Sequence, residues 1–514
     1  MINRVGKEVP DYIEGWGTVN HFAGAFQTQP VNMRRHAALV KSVGPKDSKV
    51  INNLKDLFRT IPVKDGMTLG FHHGLRNGDF VINQVVETAA ELGIKGLKIA
   101  TSGIFPIHDG LIRHIKNGVI TEFDVNGMIG AVANAVSEGI LSKPVVIRTH
   151  GGRARAIECG DLKIDVAFIA SPTADTYGNI NGTEGPSACG SLGYSFPDSD
   201  FADYVVAVTD NLLDHPLARI SIRQDRVDYV VKVDRIGDPK GINTGIMKIT
   251  REPLQLIIAE QAARVADALG LIKEGYSFQT GAGGVPLAFT SFVAQMMEQR
   301  KLTASFAVGG ITSLIVDMLE KGLLRTIFDV QSFDVKAIES MGKNVNHIEM
   351  GASFYANPFT SGCIVNRLDN CILGALEIDT GFNVNVITGV DGRIMTGIGG
   401  NPDTAAGSKI AMVVGNLLRG RIPVVVDKVH TVCTPGETID ILVTEKGVAV
   451  NPGRQDLIDK LKEARIPLKN IHEQRALVEK MVGKMQPPKT TDRVVAIVEY
   501  RDGTVIDVIR QVKV

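Results

Sequence analysis

The sequence predicts an α/β protein built from two similar domains. Each has a mainly parallel sheet covered by helices, with an N-terminal arm before them and a C-terminal β-hairpin after. Three observations carry this. Short runs rich in Val, Ile and Leu alternate with longer amphipathic stretches, the pattern of strands crossed over by helices. The same order of elements occurs twice. Glycine is abundant, 54 of 514 residues, while aromatics are only 5%, so tight turns and close backbone approaches are frequent.

Residues 1–60 read as an irregular, polar arm with the single tryptophan, Trp16, and a basic patch at Arg34, Arg35 and Lys41. The first domain is expected over 61–250. Met67–Phe71 reads as a strand ending at a glycine turn. Residues 79–92 place Val81, Val85, Val86, Ala89 and Leu92 at helical spacing. Lys95–Ala100 is a strand, and Asp109–Lys116 a helix closed by Asn117-Gly118. Val145–Ile147, Asp165–Ala170 and Tyr204–Val208 follow as strands.

The second domain, 251–484, repeats this order. Ser277–Gly281 is a strand into a glycine turn, and Phe289–Glu298 a helix. Thr303–Val308 is a strand, and Ser313–Lys321 a helix closed by Gly322. Glu122-Phe123-Asp124-Val125 after the first closed helix matches Ile327-Phe328-Asp329-Val330 after the second. A duplicated α/β unit places a cleft between its halves, a favoured ligand position. Residues 485–514 start with a linker-like break, Met485–Thr491. A hairpin follows, in which Val494–Tyr500 and Thr504–Val508 flank Arg501-Asp502-Gly503. One hairpin is unstable alone, so it packs on the body or on another subunit.

Composition narrows the function. Lys+Arg and Asp+Glu are both 56, so the basic excess of nucleic-acid and membrane-surface binders is missing. No apolar run approaches the ~18 residues of a membrane span. The five cysteines (Cys159, Cys189, Cys363, Cys371, Cys433) include no Cys-x-x-Cys pair. Buried free thiols in a reducing cytoplasm are therefore expected, with no metal site.

Three loops carry candidate chemistry. Thr280-Gly281-Ala282-Gly283-Gly284-Val285-Pro286 lies between a strand and a helix, where bare backbone N–H groups converge on an anion or carbonyl oxygen. It lacks the third glycine of a dinucleotide fingerprint, since Pro286 stands there. An oxyanion hole, a thioester cradle and a plain tight turn all fit it. Gly397-Ile398-Gly399-Gly400-Asn401 has the same character, and two such loops favour a phosphate- or thioester-bearing ligand. The third is Gly70-Phe71-His72-His73-Gly74-Leu75-Arg76-Asn77-Gly78-Asp79. Its histidines, arginine and amide suit a carboxylate-rich small molecule, although an exposed polar turn would look the same. Adjacent histidines on a strand end point to opposite faces, which disfavours a shared metal.

Asp165-Val166-Ala167-Phe168-Ile169 with Asp175-x-x-Gly178-Asn179 lies in the first half. Leu376-Glu377-Ile378-Asp379-Thr380-Gly381, Gly397-Ile398-Gly399-Gly400 and Val443-Thr444-Glu445-Lys446-Gly447-Val448-Ala449 lie in the second. In this order the chain resembles the two-domain coenzyme A transferases. The Phe-His-His-Gly-Leu-Arg-Asn-Gly-Asp run and the terminal hairpin resemble the citrate lyase α-subunit branch of that family. The resemblance implies a coenzyme A transferase-like fold in both domains and exchange of acetyl for citryl on a carrier thioester. No cofactor is implied to be covalently bound to this chain. A phosphoribosyl-dephospho-CoA arm would come from an acyl carrier (γ) subunit, with acetyl-CoA as its surrogate. Citrate and acetate, a citryl-cleaving β subunit and an oligomeric complex complete the implied partners.

Site roles follow as expectations. Gly283, Gly284, His72 and His73 would act in catalysis. Gly281, Gly397, Gly399, Gly400 and Asn401 would hold the CoA-like arm, and Arg76 and Asn77 the substrate. One departure bears on mechanism. Most of the family uses a glutamate nucleophile just before the helix ending in Glu320-Lys321-Gly322, and here Val308-Gly309-Gly310 stands in its place. Direct exchange in a ternary complex is expected instead. The rivals are an acyl-CoA hydrolase or free-CoA transferase using Glu445, Glu377 or another carboxylate in the cleft, and a non-catalytic assembly scaffold.

Overall fold

The computed structural model describes residues 1–2, 7–14, 17–19, 21, 48–214, 216–242, 249–281 and 283–513. Trp16, Arg34, Arg35 and Lys41 of the arm lie outside the described residues.

Two large sheets organise the chain. The first has ten strands, in the order Val505–Val512, Thr490–Glu499, Val145–Arg148, Ile120–Val125, Leu97–Thr101, Thr68–Phe71, Val166–Ser171, Tyr204–Thr209, Tyr229–Lys232 and Val50–Ile51. All its pairings are parallel except the one inside the terminal hairpin. The second has eight strands: His347–Glu349, Leu324–Ser332, Ala304–Ile311, Ser277–Thr280, Asn370–Leu373, Ile410–Val414, Ile441–Thr444 and Gly447–Val450. Only its last pair is antiparallel.

The duplication read from sequence is present in the topology. From Val145–Arg148 to Tyr229–Lys232, the first sheet repeats the strand order of the second from His347–Glu349 to Ile441–Thr444. Each half also carries a small three-stranded sheet. Its strands are Ile180–Asn181, Thr173–Asp175 and Leu212–Leu213 in one half, and Val384–Asn385, Glu377–Asp379 and Val425–Val426 in the other.

The local reasons are those of buried parallel sheets. Val166–Ser171 and Ile410–Val414 are buried along their whole length, so they read as continuous apolar runs without alternation. Helix Val81–Glu91 buries Val81, Ile82, Val85, Val86 and Ala89 on one stripe. The matching helices Leu111–Lys116 and Ser313–Glu320 are both followed by a left-handed glycine, Gly118 (φ 72°) and Gly322 (φ 74°).

Some expectations need correcting. Residues 50–60 are not irregular. Val50–Ile51 is the edge strand of the first sheet, and helix Leu54–Thr60, capped by Asn53, buries Leu54, Leu57 and Phe58. Lys55, Asp56 and Arg59 made this short stripe read as polar arm. The helix placed at Phe289–Glu298 spans Gly284–Arg300. The hairpin is longer than expected, Thr490–Glu499 with Val505–Val512, so the break at 485–491 is shorter. It extends the first sheet through parallel pairing with Val145–Arg148 and adds Val495, Ala496, Val498 and Ile509 to that core. All five thiols are free, and four are buried, but Cys159 is exposed. No helix among the described residues is long and apolar enough to cross a membrane.

In each sheet the chain runs outward from one central strand to both sides, Thr68–Phe71 in the first and Ser277–Thr280 in the second. Loops at such a switch point splay apart at the strands' carboxyl ends and leave a crevice. The two crevices face each other. Gly127 bridges to Gly397, Gln331 Nε2 donates to the His73 carbonyl at 2.8 Å, and Thr149 Oγ1 donates to Asp403 Oδ1 at 2.9 Å.

Candidate active site

A cavity of about 370 Å³ lies between the halves. The first half contributes His73 and Arg76 after strand Thr68–Phe71, and Ser102 and Phe105 after Leu97–Thr101. Asn126 follows Ile120–Val125, and His150 and Tyr194 complete that wall. The second half contributes Gln279 to Gly281, Gly310, Gln331, Phe333, Tyr355 and the run Thr396–Asn401.

Strand parity separates the adjacent histidines. His73 lines the cavity, and its amide donates to Ser102 Oγ at 3.0 Å while its Nδ1 also contacts that oxygen. His72 turns into the first domain among Asp79, Asp198 and Arg153, so it is not part of the cavity. His73 and His150 flank the Tyr194 ring, with centroids 5.0 and 4.5 Å from it. Burial and the nearby cations hold both imidazoles neutral. His150 is pushed down to about 3 by burial, then by Arg153 and Arg76. His73 is held well below its ordinary value by burial, His150 and Arg76.

Arg76 is the only lysine or arginine among the described lining residues. Its backbone sits in the left-handed region (φ 53°), a strained setting for a non-glycine residue of the kind found at ligand sites. Its guanidinium lies 4.8 Å from the Phe333 ring centre and 5.7 Å from that of Phe105, and its buried Nε has no partner. Burial lowers its pKa to about 10, so the cation persists at neutral pH. Asn126 Oδ1 and Gln279 Oε1 are further buried acceptors without partners. No carboxylate, thiol or lysine is among the described lining residues.

The glycine loops divide. Gly281 lines the cavity, but its N–H is spent on the Ile372 carbonyl at 2.9 Å. Gly283 is the cap and Gly284 the first residue of helix Gly284–Arg300, and neither is among the lining residues. Gly397, Gly399, Gly400 and Asn401 all line it. A Cβ on Gly400 would meet Tyr355 OH at 2.6 Å, so only bare backbone fits there. Asn77 is outside the cavity, where its Oδ1 accepts from the Ile107 amide at 3.1 Å.

The place of the absent glutamate is filled. A Cβ on Gly310 would sit 2.1 Å from Phe333 Cε2. At Gly309 a Cβ would face Gln279 and Tyr355, but the backbone is left-handed (φ 109°). Of the carboxylates named from sequence, Glu377 is outside this cavity, and Glu445 Oε2 accepts from the Leu417 amide.

His150, Tyr194, Tyr355, Gln279 and Phe333 carried no motif. Asn126 and Gln331 were within reach of the repeat, since each follows one of the matched stretches ending at Val125 and Val330.

Residues 47–512 match the family model for the citrate lyase alpha subunit (CitF). The chain is 48% identical over 468 residues to the citrate lyase alpha chain of Klebsiella pneumoniae, covering 91% of this chain and 92% of that one. The Escherichia coli citrate lyase alpha chain is 47% identical over the same shares. Among solved structures, a Streptococcus mutans chain named as a citrate lyase alpha subunit, in complex with citrate, superposes with a TM-score of 0.90. It is 46% identical, with 100% of both chains covered. A Pseudomonas malonate decarboxylase hetero-tetramer shares the fold at 16% identity and a TM-score of 0.64, over 85% of this chain and 86% of that one.

Proposed function

The chain belongs to the citrate lyase alpha-subunit family, the transferase component of citrate lyase, and from that premise we propose a specific reaction and course for it. Acetyl-carrier thioester and citrate are converted to citryl-carrier thioester and acetate, with both substrates bound and no acyl group on the enzyme. The carrier's thiol arm is of the CoA type, the product goes to a cleaving subunit, and the work is done in the cytoplasm.

One observation carries the reading. The cavity holds one guanidinium and offers no carboxylate or thiol among its described lining residues to act as nucleophile. The attacking carboxylate then has to be the substrate's own. Arg76 holds one carboxylate of citrate in this reading, and the citrate hydroxyl donates to one of the two unpartnered acceptors, Asn126 Oδ1 or Gln279 Oε1. The bound citrate in the Streptococcus mutans relative supports this substrate class.

A citrate carboxylate oxygen attacks the acetyl thioester carbonyl. The Gly399–Asn401 stretch of the cavity wall is the proposed source of N–H donors to the oxyanion. Collapse breaks the C–S bond and leaves a mixed acetic–citric anhydride and the carrier thiolate. The thiolate attacks the citryl carbonyl and acetate departs. No net proton moves, which suits a site whose imidazoles are held neutral. The protein's contribution is positioning of two substrates and a preorganised oxyanion site.

The test is a single turnover with ¹⁸O-carboxylate citrate. Direct exchange delivers the label to acetate in the first turnover. Unlabelled acetate formed with an enzyme-bound thioester would overturn the course proposed. Acetate taking its oxygen from labelled water would instead identify a hydrolase.

A further inference from the structure

We propose that Arg501, at the tip of the C-terminal hairpin, is a positioning residue for the transfer reaction: it locks together the wall segments of the reactive cavity that carry His150, Tyr355 and Gly399–Asn401. Arg501 follows strand Thr490–Glu499 in the hairpin turn, yet it is only 8% exposed. An arginine in a turn normally stays in water, and a buried one needs partners. This one finds them at the seam between the two halves. The inference rests on the cavity being the transferase site, not on the anhydride course.

Arg501 Nη2 donates to the Ala356 carbonyl at 3.1 Å, and its Nε lies 3.5 Å from Asp403 Oδ1. Ala356 ends helix Ala352–Ala356, in which Tyr355 lines the cavity. Asp403 belongs to helix Asn401–Gly407, whose first residue lines the cavity together with Gly399 and Gly400 before it. The Asp403 carboxylate is fully buried and accepts from Thr149 Oγ1 at 2.9 Å and from the Gly151 amide at 3.0 Å. Those donors stand at the start of helix His150–Cys159, which presents His150. An anion there also complements the positive end of the helix. The approach is close, since a Cβ on Gly151 would meet the Ala356 carbonyl and, at 2.7 Å, Asp403 Oδ1. One guanidinium, delivered by the hairpin, thus ties wall segments from both halves.

The task suits an arginine. Its rigid fork serves a carbonyl and a carboxylate at once, and its charge offsets that of Asp403. Burial drives Asp403 toward its neutral form, and Arg501 is the first of the groups that oppose this. Glu499, at the end of the same strand, does matching work in the first half. Its Oε1 accepts from Arg155 Nη2 at 3.0 Å and from Arg148 Nη1. The Arg148 carbonyl in turn accepts, at 2.6 Å, from Nδ2 of Asn126 in the cavity wall. A displacement of about 1 Å in such a wall can cost ~10²-fold in rate. Arg76 is set instead by the Phe333 and Phe105 rings, so citrate binding should be spared.

Turnover, KM for citrate and thermal melts are compared in wild type, Arg501→Met and Ile509→Ala, with rates taken well below every melting point. Ile509 is buried on the hairpin's other strand, so its truncation loosens the hairpin without removing the guanidinium. Arg501→Met should lower kcat at least about tenfold and leave KM for citrate within about threefold of wild type, while Ile509→Ala keeps kcat within about threefold. A smaller loss in Arg501→Met, a citrate KM raised beyond that range, or a greater loss in Ile509→Ala overturns the assignment. Should Arg501→Met not fold, Arg501→Lys decides, because it keeps the buried cation but has one nitrogen for two partners. A kcat at least about threefold below that of Ile509→Ala then supports the role, and a smaller difference overturns it. The ¹⁸O label in wild type reads the course of the reaction separately, so failure of that reading and failure of this one are distinguishable.

Discussion

The Arg76 guanidinium lies 4.8 Å from the ring centre of Phe333, and that ring occupies the space a side chain at Gly310 would need. One aromatic residue thus blocks an enzyme carboxylate and steadies the cation that would receive a substrate carboxylate. A desolvated cation–π contact of this kind contributes about 0.5–2 kcal/mol. Phe333→Leu should therefore raise KM for citrate by about 2–30-fold with a smaller change in kcat, while Phe333→Tyr stays near wild type. A Phe333→Leu enzyme with unchanged KM would separate Arg76 from citrate binding.

The route to this site was partly legible in the sequence. A loop after a strand, rich in glycine and polar groups, marked His73, Arg76 and Gly397–Asn401, because strand ends at a switch point are where open sheets bind ligands. The parity of a strand predicted that His72 and His73 part company, but not which one faces the cleft. Gly283 and Gly284 are not among the cavity's lining residues, and a glycine-rich helix start looks alike in sequence whether its backbone faces a ligand or a neighbouring turn. His150, Tyr194 and Tyr355 come from helical segments far apart in sequence. His150 and Tyr194 meet through packing inside the first half, and Tyr355 joins them only where the second half docks; no local pattern encodes either contact.

Arg76 also sets a pH limit. Only its protonated form pairs with a carboxylate, and burial lowers its pKa to about 10. KM for citrate should rise as pH climbs through about 10, tending to tenfold per unit beyond it. His73 and His150, held neutral at and above neutrality, should add no inflection between pH 6.5 and 9. An inflection near 6.5 in kcat/KM that disappears in His73→Gln would show that His73 titrates and contradict this.

The glycines should separate by position. A Cβ on Gly397 would meet the Asn126 carbonyl at 2.7 Å, across the seam between the halves. Gly397→Ala should lower stability by about 1–3 kcal/mol through overpacking and lower turnover with it. On Gly283 a Cβ meets only the Pro286 ring, at 3.5 Å from Cδ and 3.9 Å from Cγ, ordinary contacts. Gly283→Ala should stay within about 1 kcal/mol of wild type and keep most of its turnover. Denaturant melts and turnover numbers on both variants check this. A folded Gly283→Ala enzyme slowed by the ~10²–10³ of a lost oxyanion donor would return that loop to the site.

Asp403 predicts how stability changes with pH. It is buried beside the Gly399–Asn401 wall, where its carboxylate accepts from Thr149 Oγ1 at 2.9 Å and the Gly151 amide at 3.0 Å, with Arg501 Nε 3.5 Å away. Burial outweighs these partners and raises its pKa from 3.8 to about 6. Between those values the native state holds more protons than the unfolded chain, so stability falls as pH rises through the window and levels off above it. Asparagine does not titrate, so Asp403→Asn should lack this slope. The stability of wild type relative to Asp403→Asn should then drop by roughly 2 kcal/mol between pH 4 and pH 7, as read from urea melts at each pH. The absolute offset between the two proteins includes the second acceptor that asparagine lacks and does not enter the comparison. A difference that is flat across the window, or that grows in favour of wild type as pH rises, would show that Arg501 and the two donors outweigh burial and keep Asp403 ionised.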